Sequence, residues 1–428
     1  MRDGSCPDGW AAHVLGDHLQ KVLGGGTPSR RRPDYWGGEI PWASVKDMAH
    51  PRLERTQEVI TEAGLSNSAA NLVPSDTIVL ATRMAVGAVT RTVRPTAINQ
   101  DLKALFPKSS LSVDYLYYLM QMHGPRLALL SPGTTVSGLR LEALRALPIL
   151  LPPPAEQRKI AGLLSSVDDA IEKTEAVIEQ VQRVKQGLTQ QLLTRGLPGR
   201  HTRFKQTEVG EIPEAWEVVP VGDCIARGPT NGLYRHLSEY GSGIPIVRID
   251  DFDAGEFLRL SGFRRLRLQP SEVRRYELKP REVLINRVNS LPQLGKCALV
   301  PPLPEPTVYE SNMMCLAANE ERLLPEYLVL WLCSPPAVRQ IQSRAKRAVA
   351  QASIDQDDVK TLLIPCPPAG EQATIVSAVA QVDSRLKQEQ TTLGGLREAK
   401  ESLMHVLLTG QVRVKVSSPS MAAGENQR

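Results

Sequence analysis

The chain contains the same helix start twice, about half its length apart. Residues 152–173 read PPPAEQRKIAGLLSSVDDAIEK, and residues 367–388 read PPAGEQATIVSAVAQVDSRLKQ. Each segment has prolines followed by a Glu-Gln pair, and the second pair lies 215 positions after the first in a chain of 428 residues. Two copies of one structural plan are therefore predicted, each a globular module followed by a long helix.

Shorter matches precede each helix start, in the same order in both halves. The segment CPDGWAAHVLGDHL at 6–19 parallels IPEAWEVVPVGDCI at 212–225, and VDYLYYLM at 113–120 parallels PEYLVLWL at 325–332. A period of this size indicates a duplicated domain, because solenoid repeats have periods of about 20 to 50 residues. Between the matches the two halves differ in sequence. Two modules with the same framework are therefore predicted to do the same task on different targets.

Both repeated segments predict long amphipathic helices. No proline occurs in 155–194, and apolar residues recur at alternating steps of four and three, which is the pattern of a coiled-coil seam. The alternative is a pair of unrelated surface helices. The predicted seam residues are Ile160, Leu164, Val167, Ile171, Ile178, Leu188, Ile375, Val379, Val382, Leu386, Leu393 and Leu403.

The connection between the halves predicts how the helices run. About 40 helical residues span ~60 Å, and only the short linker RGLPGRHTRFKQTEVGE separates the first helix from the second half. The predicted fold class is α+β, with two globular domains separated by two long antiparallel coiled-coil helices and related by a pseudo-two-fold axis. The predicted boundaries are 1–151 and 213–366 for the globular domains, 152–195 and 367–411 for the helices, 196–212 for the linker and 412–428 for a disordered tail.

Composition narrows the class of protein. The sequence is 42% hydrophobic and 23% charged, which is typical of a globular protein with a real core. No apolar run approaches the ~18 residues of a membrane span, and the N-terminus has no signal-like core, so a cytoplasmic protein without a membrane partner is expected. The six cysteines are scattered without a C-x-x-C pair, so neither a metal site nor a disulfide framework is predicted.

Basic clusters mark candidate DNA contacts. The net charge of +5 is compatible with nucleic-acid binding without requiring it. The loop LGGGTPSRRRPDYWGGEIPWASVKDM combines glycines, a threonine and three arginines, which suits phosphate contact or guanine reading, although a solvated basic loop is the alternative. The predicted DNA-binding residues are Gly25, Gly26, Thr27, Arg30, Arg31, Arg32, Arg83, Arg264, Arg265, Arg287, Arg344, Lys346 and Arg347.

Catalytic motifs are weak by comparison. Glu277 and Lys279 resemble the Glu-x-Lys half of a nuclease site, but no Pro-Asp pair precedes them at the usual spacing. There is no Gly-x-Ser-x-Gly elbow and no Asn/Asp-Pro-Pro-aromatic tetrapeptide of amino-methyltransferases. A binding protein that recognises its target without catalysis is predicted, with no catalytic residue and no bound metal.

These features together resemble a known family. Over nearly its full length the sequence is similar to the specificity (S) subunit of type I restriction-modification enzymes, through GGGTPSRRRPDYWGGEIPW at 24–42, both PP…EQ helix starts, both LLT helix ends and the duplication. The resemblance implies that 1–151 and 213–366 are target-recognition domains, each binding half of a split site in double-stranded DNA. It also implies two methyltransferase (modification) subunits docked on the helices, and motor-nuclease (restriction) subunits. S-adenosylmethionine, ATP and magnesium would belong to those partners, with no cofactor in this chain.

The second domain departs from the family pattern. ARGPTNGLYRHLSEYGSGIPIVRIDD at 226–251 replaces the Gly-Gly-Thr-Pro and Tyr-Trp signature, so DNA-contact roles do not transfer safely from the first domain to the second. Two other hypotheses stay open from the sequence: a protein–protein scaffold with two interaction heads on a coiled-coil bar, and an enzyme with an unrecognised site.

Overall fold

The computed structural model describes residues 6–130, 138–253, 255–348 and 351–415. The chain divides into two compact units, the first made of residues 1–176 with 391–428 and the second of residues 177–390. Of the predicted tail, 416–428 lies outside the described residues.

The first unit is built from short strands and four helices, the last of which continues into the second unit. Its strands are β1 (Ala11–Val14), β2 (Leu19–Gly24), β3 (Trp36–Ala43), β4 (Arg52–Leu53), β5 (Glu58–Ile60), β6 (Asn71–Val73), β7 (Ile78–Ala81), β8 (Val89–Thr92), β9 (Thr96–Ile98), β10 (Leu102–Pro107) and β11 (Pro148–Leu151). Its helices are α1 (Glu62–Ser66), α2 (Val113–Leu129), α3 (Leu141–Arg145) and α4 (Pro154–Arg195).

The second unit repeats this mixture. Its strands are β12 (Phe204–Thr207), β13 (Gly210–Pro213), β14 (Glu217–Pro220), β15 (Ile225–Asn231), β16 (Tyr240–Val247), β17 (Phe252–Asp253), β18 (Glu256–Phe257), β19 (Arg264–Leu266), β20 (Val283–Asn286), β21 (Val288–Asn289), β22 (Cys297–Leu299), β23 (Val308–Tyr309), β24 (Met313–Ala318), β25 (Lys346–Arg347), β26 (Ala352–Ser353) and β27 (Leu363–Cys366). Its helices are α5 (Pro270–Tyr276), α6 (Pro325–Leu332), α7 (Pro335–Arg344), α8 (Gln356–Lys360) and α9 (Ala369–Leu408), which continues into the first unit.

The core of the first unit lies on both faces of a five-stranded sheet with the order β2-β10-β7-β8-β4. All four residues of β7 are buried. Ile78 and Leu80 belong to the cluster that contains Tyr115 of α2, whereas Val79 and Ala81 join a second cluster. Because side chains alternate between the faces of a strand, this fully apolar run is the expected sequence for a strand covered on both sides. A four-stranded sheet, β5-β3-β9-β6, completes the domain.

The second unit has an equivalent central sheet with the order β15-β24-β20-β22. Val283 and Ile285 of β20 pack in the largest apolar cluster of this unit, and Leu284 packs in another. The helical layer differs from that of the first unit, because Pro335 begins a new helix where α2 is continuous. Smaller sheets with the orders β19-β16-β23 and β21-β26-β25 surround the central one.

The repeated Glu-Gln pair fastens the start of α4 to the first domain. Glu156 is 3% exposed and accepts hydrogen bonds from the Trp10 indole (3.1 Å) and from the Arg413 guanidinium (2.9 and 3.0 Å). Burial opposes ionisation of Glu156, but the bonds from Arg413 and Trp10 outweigh it and hold the pKa of the carboxyl below its usual value. The Gln157 amide accepts from the Ser112 N–H (2.9 Å) and donates to two backbone carbonyls.

The second pair makes the same contacts at the start of α9. Glu371 accepts from the Trp216 indole (3.2 Å) and from His201 (2.8 Å). The Gln372 amide accepts from the Leu324 N–H (2.9 Å) and likewise donates to two backbone carbonyls. The duplication therefore preserves a buried hydrogen-bond network that joins each long helix to its domain.

Arg413 lies within the segment predicted to be a disordered tail, but the structure places it in a defined contact with the first domain. Its ion pair with buried Glu156 holds residues 412–415 against the first domain. The physical reason is that a buried carboxylate requires a cation, and this segment supplies it. Arg200 plays the matching part in the second unit, because its guanidinium lies 3.6 Å from the Glu371 carboxylate and comes from the segment that follows α4.

Within each unit, stretches of the two long helices run antiparallel. In the first unit Ile160 and Leu164 share an apolar cluster with Leu407 and Leu408. In the second unit, the described seam residues Ile375 and Val379 share a cluster with Leu192 and Leu193, and Leu188 packs against it. Six other predicted seam residues are half-buried: Val167, Ile171, Ile178, Val382, Leu386 and Leu393. One predicted seam residue is neither buried nor half-buried.

The exception is Leu403, which is exposed although the seam pattern predicted it to be buried. The buried stripe passes instead through half-buried Met404 and buried Leu407. The pattern keeps its phase on both sides of this position, because Lys400 pairs with Asp168 and Leu407 is buried, so the exposure of Leu403 is local.

Two ion pairs occupy polar interruptions of the seam. In the first unit the Lys400 ammonium lies 2.6 Å from the Asp168 carboxylate, and the Tyr118 hydroxyl donates to the same carboxylate at 2.8 Å. In the second unit Lys185 pairs with Asp383. Both partners recur at a separation of 215 positions, so the pairing is part of the repeated plan.

Breaking the Lys400–Asp168 pair is expected to destabilise the first unit. Lys400→Met should lower its free energy of unfolding by roughly 2–3 kcal/mol, because a largely buried carboxylate loses its cation. Pulse proteolysis of the full chain in urea measures this quantity. The control is Arg397→Met, whose exposed pair with Glu175 should contribute under ~1 kcal/mol. Equal losses for the two variants would contradict the prediction.

No described helix combines the length and the apolar character that crossing a bilayer requires.

Candidate nucleic-acid interface

The glycines of the first-domain loop pack against backbone. A Cβ on Gly25 would lie 1.8 Å from the Ile98 carbonyl oxygen, and one on Gly26 would lie 2.6 Å from Ala69. The Gly26 N–H donates to the Ile98 carbonyl (3.1 Å), and the Trp42 indole donates to the Gly26 carbonyl (3.0 Å). Close packing against neighbouring backbone thus accounts for the absence of a side chain at both positions.

The three consecutive arginines do not form one cluster of unpaired cations. Arg30 is hydrogen-bonded to both carboxylate oxygens of Glu58, and its guanidinium lies 3.7 Å from the centre of the Trp36 ring. The bond from Arg30 holds the pKa of Glu58 below its usual value. Arg32 pairs with Asp34 at 2.7 Å. Arg31 is exposed and has no ion pair among the described residues, so it is the arginine of the three that can take a phosphate without exchanging a partner.

The structure brings Thr27 and Arg83 to the same place, the turn between β9 and β10. The Thr27 hydroxyl donates to the side-chain oxygen of Gln100 (2.6 Å), and the Lys103 ammonium donates to the Gln100 carbonyl (3.1 Å). Arg83 lies 3.9 Å from the carboxylate of Asp101. These five residues, Thr27, Arg83, Gln100, Asp101 and Lys103, are called the first strand-end site.

The second unit has a second strand-end site on the same backbone frame. The Leu233 N–H donates to the Tyr309 carbonyl (2.9 Å), as Gly26 does to Ile98. Arg287 follows β20 as Thr82 follows β7, and the carbonyls of these two residues accept from Ile354 (2.9 Å) and Leu139 (2.7 Å) respectively. The site is defined by Tyr234, Arg287 and Ser311.

The side chains of the second strand-end site are different from those of the first. Tyr234 occupies the place of Thr27 and is 73% exposed. Arg287 donates to the Ser311 carbonyl at 3.2 Å, and its buried Nε has no hydrogen-bond partner in the described part of the chain. Buried donors without partners are rare in folded proteins and often mark functional positions. The common frame therefore presents different chemistry in each domain.

The remaining predicted contacts of the second unit lie in two places. Arg264 and Arg265 are exposed on β19, where Arg265 pairs with Glu305 and Arg264 has no ion pair in the described part of the chain. Lys346 and Arg347 form β25, which belongs to the same small sheet as β21, the strand that directly follows Arg287.

Lys346 and Arg347 of β25 form a small basic cluster, and the two residues differ in their ion-pair partners. Lys346 is paired with Asp355 at 2.5 Å, whereas exposed Arg347 has no ion pair among the residues that the structure describes. Arg344 is not part of the cluster, because its guanidinium donates to the carbonyls of Gln340 and Thr361 and holds the end of α7.

The nuclease-like residues do not form a site. Glu277 and Lys279 pair with each other at 2.5 Å. Asp251 is 1% exposed and accepts a hydrogen bond from Arg259 at 2.6 Å. Across the four described ranges, no group of three or more His, Cys, Asp or Glu side chains is arranged to hold a metal ion.

Sequence motifs missed Gln100, Lys103, Tyr234 and Ser311. The signal that could have found them is the register of the repeat, in which INQDLKAL at 98–105 corresponds to YESNMMCL at 309–316. Four buried positions stay apolar in both segments and a fifth, Asn99 and Glu310, stays polar, while Gln100 and Ser311 differ. A position that varies within a shared frame is a candidate for specificity.

Sequence comparison supports the interpretation of two equivalent domains. A family model described as the type I restriction modification DNA specificity domain matches residues 7–183 and again residues 213–393. The chain belongs to the family of type I restriction-modification specificity (S) subunits. The resemblance predicted from the repeated motifs is therefore confirmed.

Individual S subunits align over almost the whole chain. The MjaIX specificity subunit of Methanocaldococcus jannaschii is 26% identical, covering 96% of this chain and 95% of the relative. The EcoKI specificity subunit of Escherichia coli K12 is 23% identical, covering 100% of this chain and 94% of the relative.

Solved structures share the fold. An S subunit from M. genitalium matches with a TM-score of 0.55 at 14% identity, covering 93% of this chain and 96% of that one. A chain from a type I system described for its complex assembly and conformational transition matches with a TM-score of 0.60 at 15% identity, covering 96% and 100%. The predicted fold class, mixed helix and sheet with two recognition domains and two long helices, is confirmed.

Proposed function

We propose that this S subunit gives a type I restriction-modification complex its sequence specificity, with each domain reading one half of a bipartite site in double-stranded DNA. The observation that carries the proposal is the pair of strand-end sites, which share one backbone frame and differ in side chains. A duplicated reader of two different half-sites needs this combination.

Exposed Arg and Lys side chains supply affinity for DNA in this proposal. Phosphate contacts by Arg and Lys position each domain and are independent of sequence, whereas base-edge contacts in the grooves select the sequence. Exposed cations without ion pairs among the described residues, such as Arg31, Arg264 and Arg347, are suited to the first role. Each strand-end site is suited to the second.

The long helices set the distance between the two half-sites in this proposal. They also dock two methyltransferase subunits, and motor-nuclease subunits join that core. S-adenosylmethionine, ATP and magnesium are then bound by those partners, and the S subunit itself performs no catalysis. The buried Glu-Gln networks support a spacer role, because they fasten the start of each helix to a domain.

Salt dependence of DNA binding tests the proposal. About six phosphate contacts would give a slope of log affinity against log salt concentration of about −5. We expect such a slope for duplex DNA, measured by fluorescence anisotropy with the full chain in complex with its methyltransferase partners. Protection of two separated DNA segments should accompany it. Weak salt dependence without protection would favour the protein–protein scaffold instead.

A further inference from the structure

Two cations at the first strand-end site share one distant carboxylate. Arg83 lies 3.9 Å from Asp101, and Lys103 has no ion pair within the described residues. Among the described residues, the Lys103 ammonium donates one hydrogen bond, to the Gln100 carbonyl at 3.1 Å. Two positive charges facing a single carboxylate leave this place with an excess of positive charge.

Lys103 is held in position by its surroundings. Its side chain is half-buried, and a Cβ on Gly24 would lie 3.0 Å from its ammonium. Burial lowers the pKa of Lys103, and nearby Arg83 lowers it further, against the opposing effect of Asp101. Holding two like charges together costs free energy, and such an arrangement is common where an anion binds.

Gln100 presents its amide from the same turn. The residue is exposed, its oxygen accepts from the Thr27 hydroxyl at 2.6 Å, and its nitrogen lies 3.5 Å from Asp101. Asn99 is 5% exposed and fixes the turn from below, because its side chain accepts from the Asp101 N–H (3.0 Å) and donates to the Asp101 carboxylate (3.1 Å). The amide is therefore oriented before any ligand arrives.

We propose that Lys103 and Arg83 bind one DNA backbone phosphate and that Gln100 reads the edge of an adjacent base. The inference rests on the proposed function, and it names the residues and ligand groups of the first half-site. A phosphate is a singly charged anion that the excess positive charge accommodates. A Gln amide offers one donor and one acceptor, which match N7 and the N6 amino group of adenine in the major groove.

The second domain provides an internal contrast. In the register of the repeat, Ser311 stands in the place of Gln100, and buried Met314 stands in the place of Lys103. The phosphate anchor and the amide are thus features of the first domain alone. Substitutions at these positions should alter recognition of one half-site and leave the other unchanged.

Replacing Lys103 with Met tests the phosphate contact. The slope of log affinity against log salt should become shallower by about 1, and affinity should fall by a similar factor for every sequence. The matched control is Lys108→Met, because Lys108 follows the end of β10 that is opposite to the strand-end site, where its ammonium donates to the Asp17 carbonyl at 2.7 Å. The control should keep the wild-type slope.

Replacing Gln100 with Ala tests the base contact. Affinity for the cognate site should fall roughly 5- to 100-fold, and selection from DNA randomised in both half-sites should show relaxed preference at one position of a single half-site. Gln100→Glu should lose more affinity than Gln100→Ala, because its carboxylate would lie beside the negatively charged phosphate and repel it. The salt slope of Gln100→Ala should stay within about 0.3 of the wild-type value.

The outcomes separate this inference from the proposed function. If the wild type shows a steep slope and two half-sites, while Lys103→Met matches Lys108→Met and Gln100→Ala keeps its selectivity, the inference is overturned and the function stands. If the wild type binds DNA without steep salt dependence, the proposed function itself fails. Relaxed selectivity at both half-sites would also overturn the assignment to the first domain.

Discussion

Gln157→Met and Gln372→Met should each unfold one unit under conditions in which the wild-type chain remains folded. Each amide is 0% exposed and makes three hydrogen bonds to backbone groups. Methionine has a similar volume and helix propensity but leaves one N–H and two carbonyls buried without partners. Because three partners are lost at about 1–3 kcal/mol each, the expected destabilisation is at least about 3 kcal/mol.

Each variant should affect its own unit. Gln157 bonds to Ser112 of the first unit and Gln372 bonds to Leu324 of the second, so limited proteolysis should cut one unit in each variant. Pulse proteolysis in urea with mass spectrometry of the fragments makes the measurement. Gln182→Met and Gln186→Met on exposed positions of α4 control for the change of side chain alone and should shift stability by under ~0.5 kcal/mol.

If the buried variants behave like these controls, the Glu-Gln repeat has no structural role. Equal damage to both units in either variant would contradict the assignment of one network to each unit.

Lengthening both long helices should change the DNA site that is recognised, by widening the gap between its two half-sites. Insertion of seven residues into both long helices, between 176 and 177 and between 390 and 391, places the additions where the chain passes from one unit to the other. Seven helical residues add about 10 Å, which corresponds to about three base pairs. The preferred gap between half-sites should therefore grow by about three base pairs.

Affinity should fall as the gap changes. Three base pairs rotate the second half-site by roughly a third of a turn, whereas a heptad keeps the seam on the same face of a coiled coil. Insertion into one helix only is the control, and it should abolish binding to both the old and the new sites because the paired stretches lose register. An unchanged gap after the double insertion would show that the helices do not set it.

The sequence predicted the large features because they depend on local periodicity. Ile160 and Leu164 lie one turn apart on α4, and prolines mark the starts of both helices, so these elements required no knowledge of distant contacts. The duplication was visible for the same reason, since the repeated residues lie in the framework. Leu403 shows the limit of the pattern, because periodicity places a residue on a face of the helix but does not tell how much of that face the partner helix covers.

The details of the interface depended on partners that are distant in sequence. Arg30 is neutralised by Glu58, which lies 28 positions away on β5, and no local pattern reveals that pairing. Lys103 and Gln100 become neighbours of Thr27 and Arg83 only through the pairing of β10 with β2 and β7. Strand register therefore decides which exposed side chains form a site, and sequence motifs do not report register.

Selection of bound duplexes from a random DNA library tests the central claim most directly, using the full chain with its methyltransferase partners. Two duplicated domains joined by two long helices predict two short motifs of different sequence, separated by a gap of constant length. Exchange of residues within one domain should change one motif only. A single continuous motif, or two motifs with freely varying separation, would contradict the account.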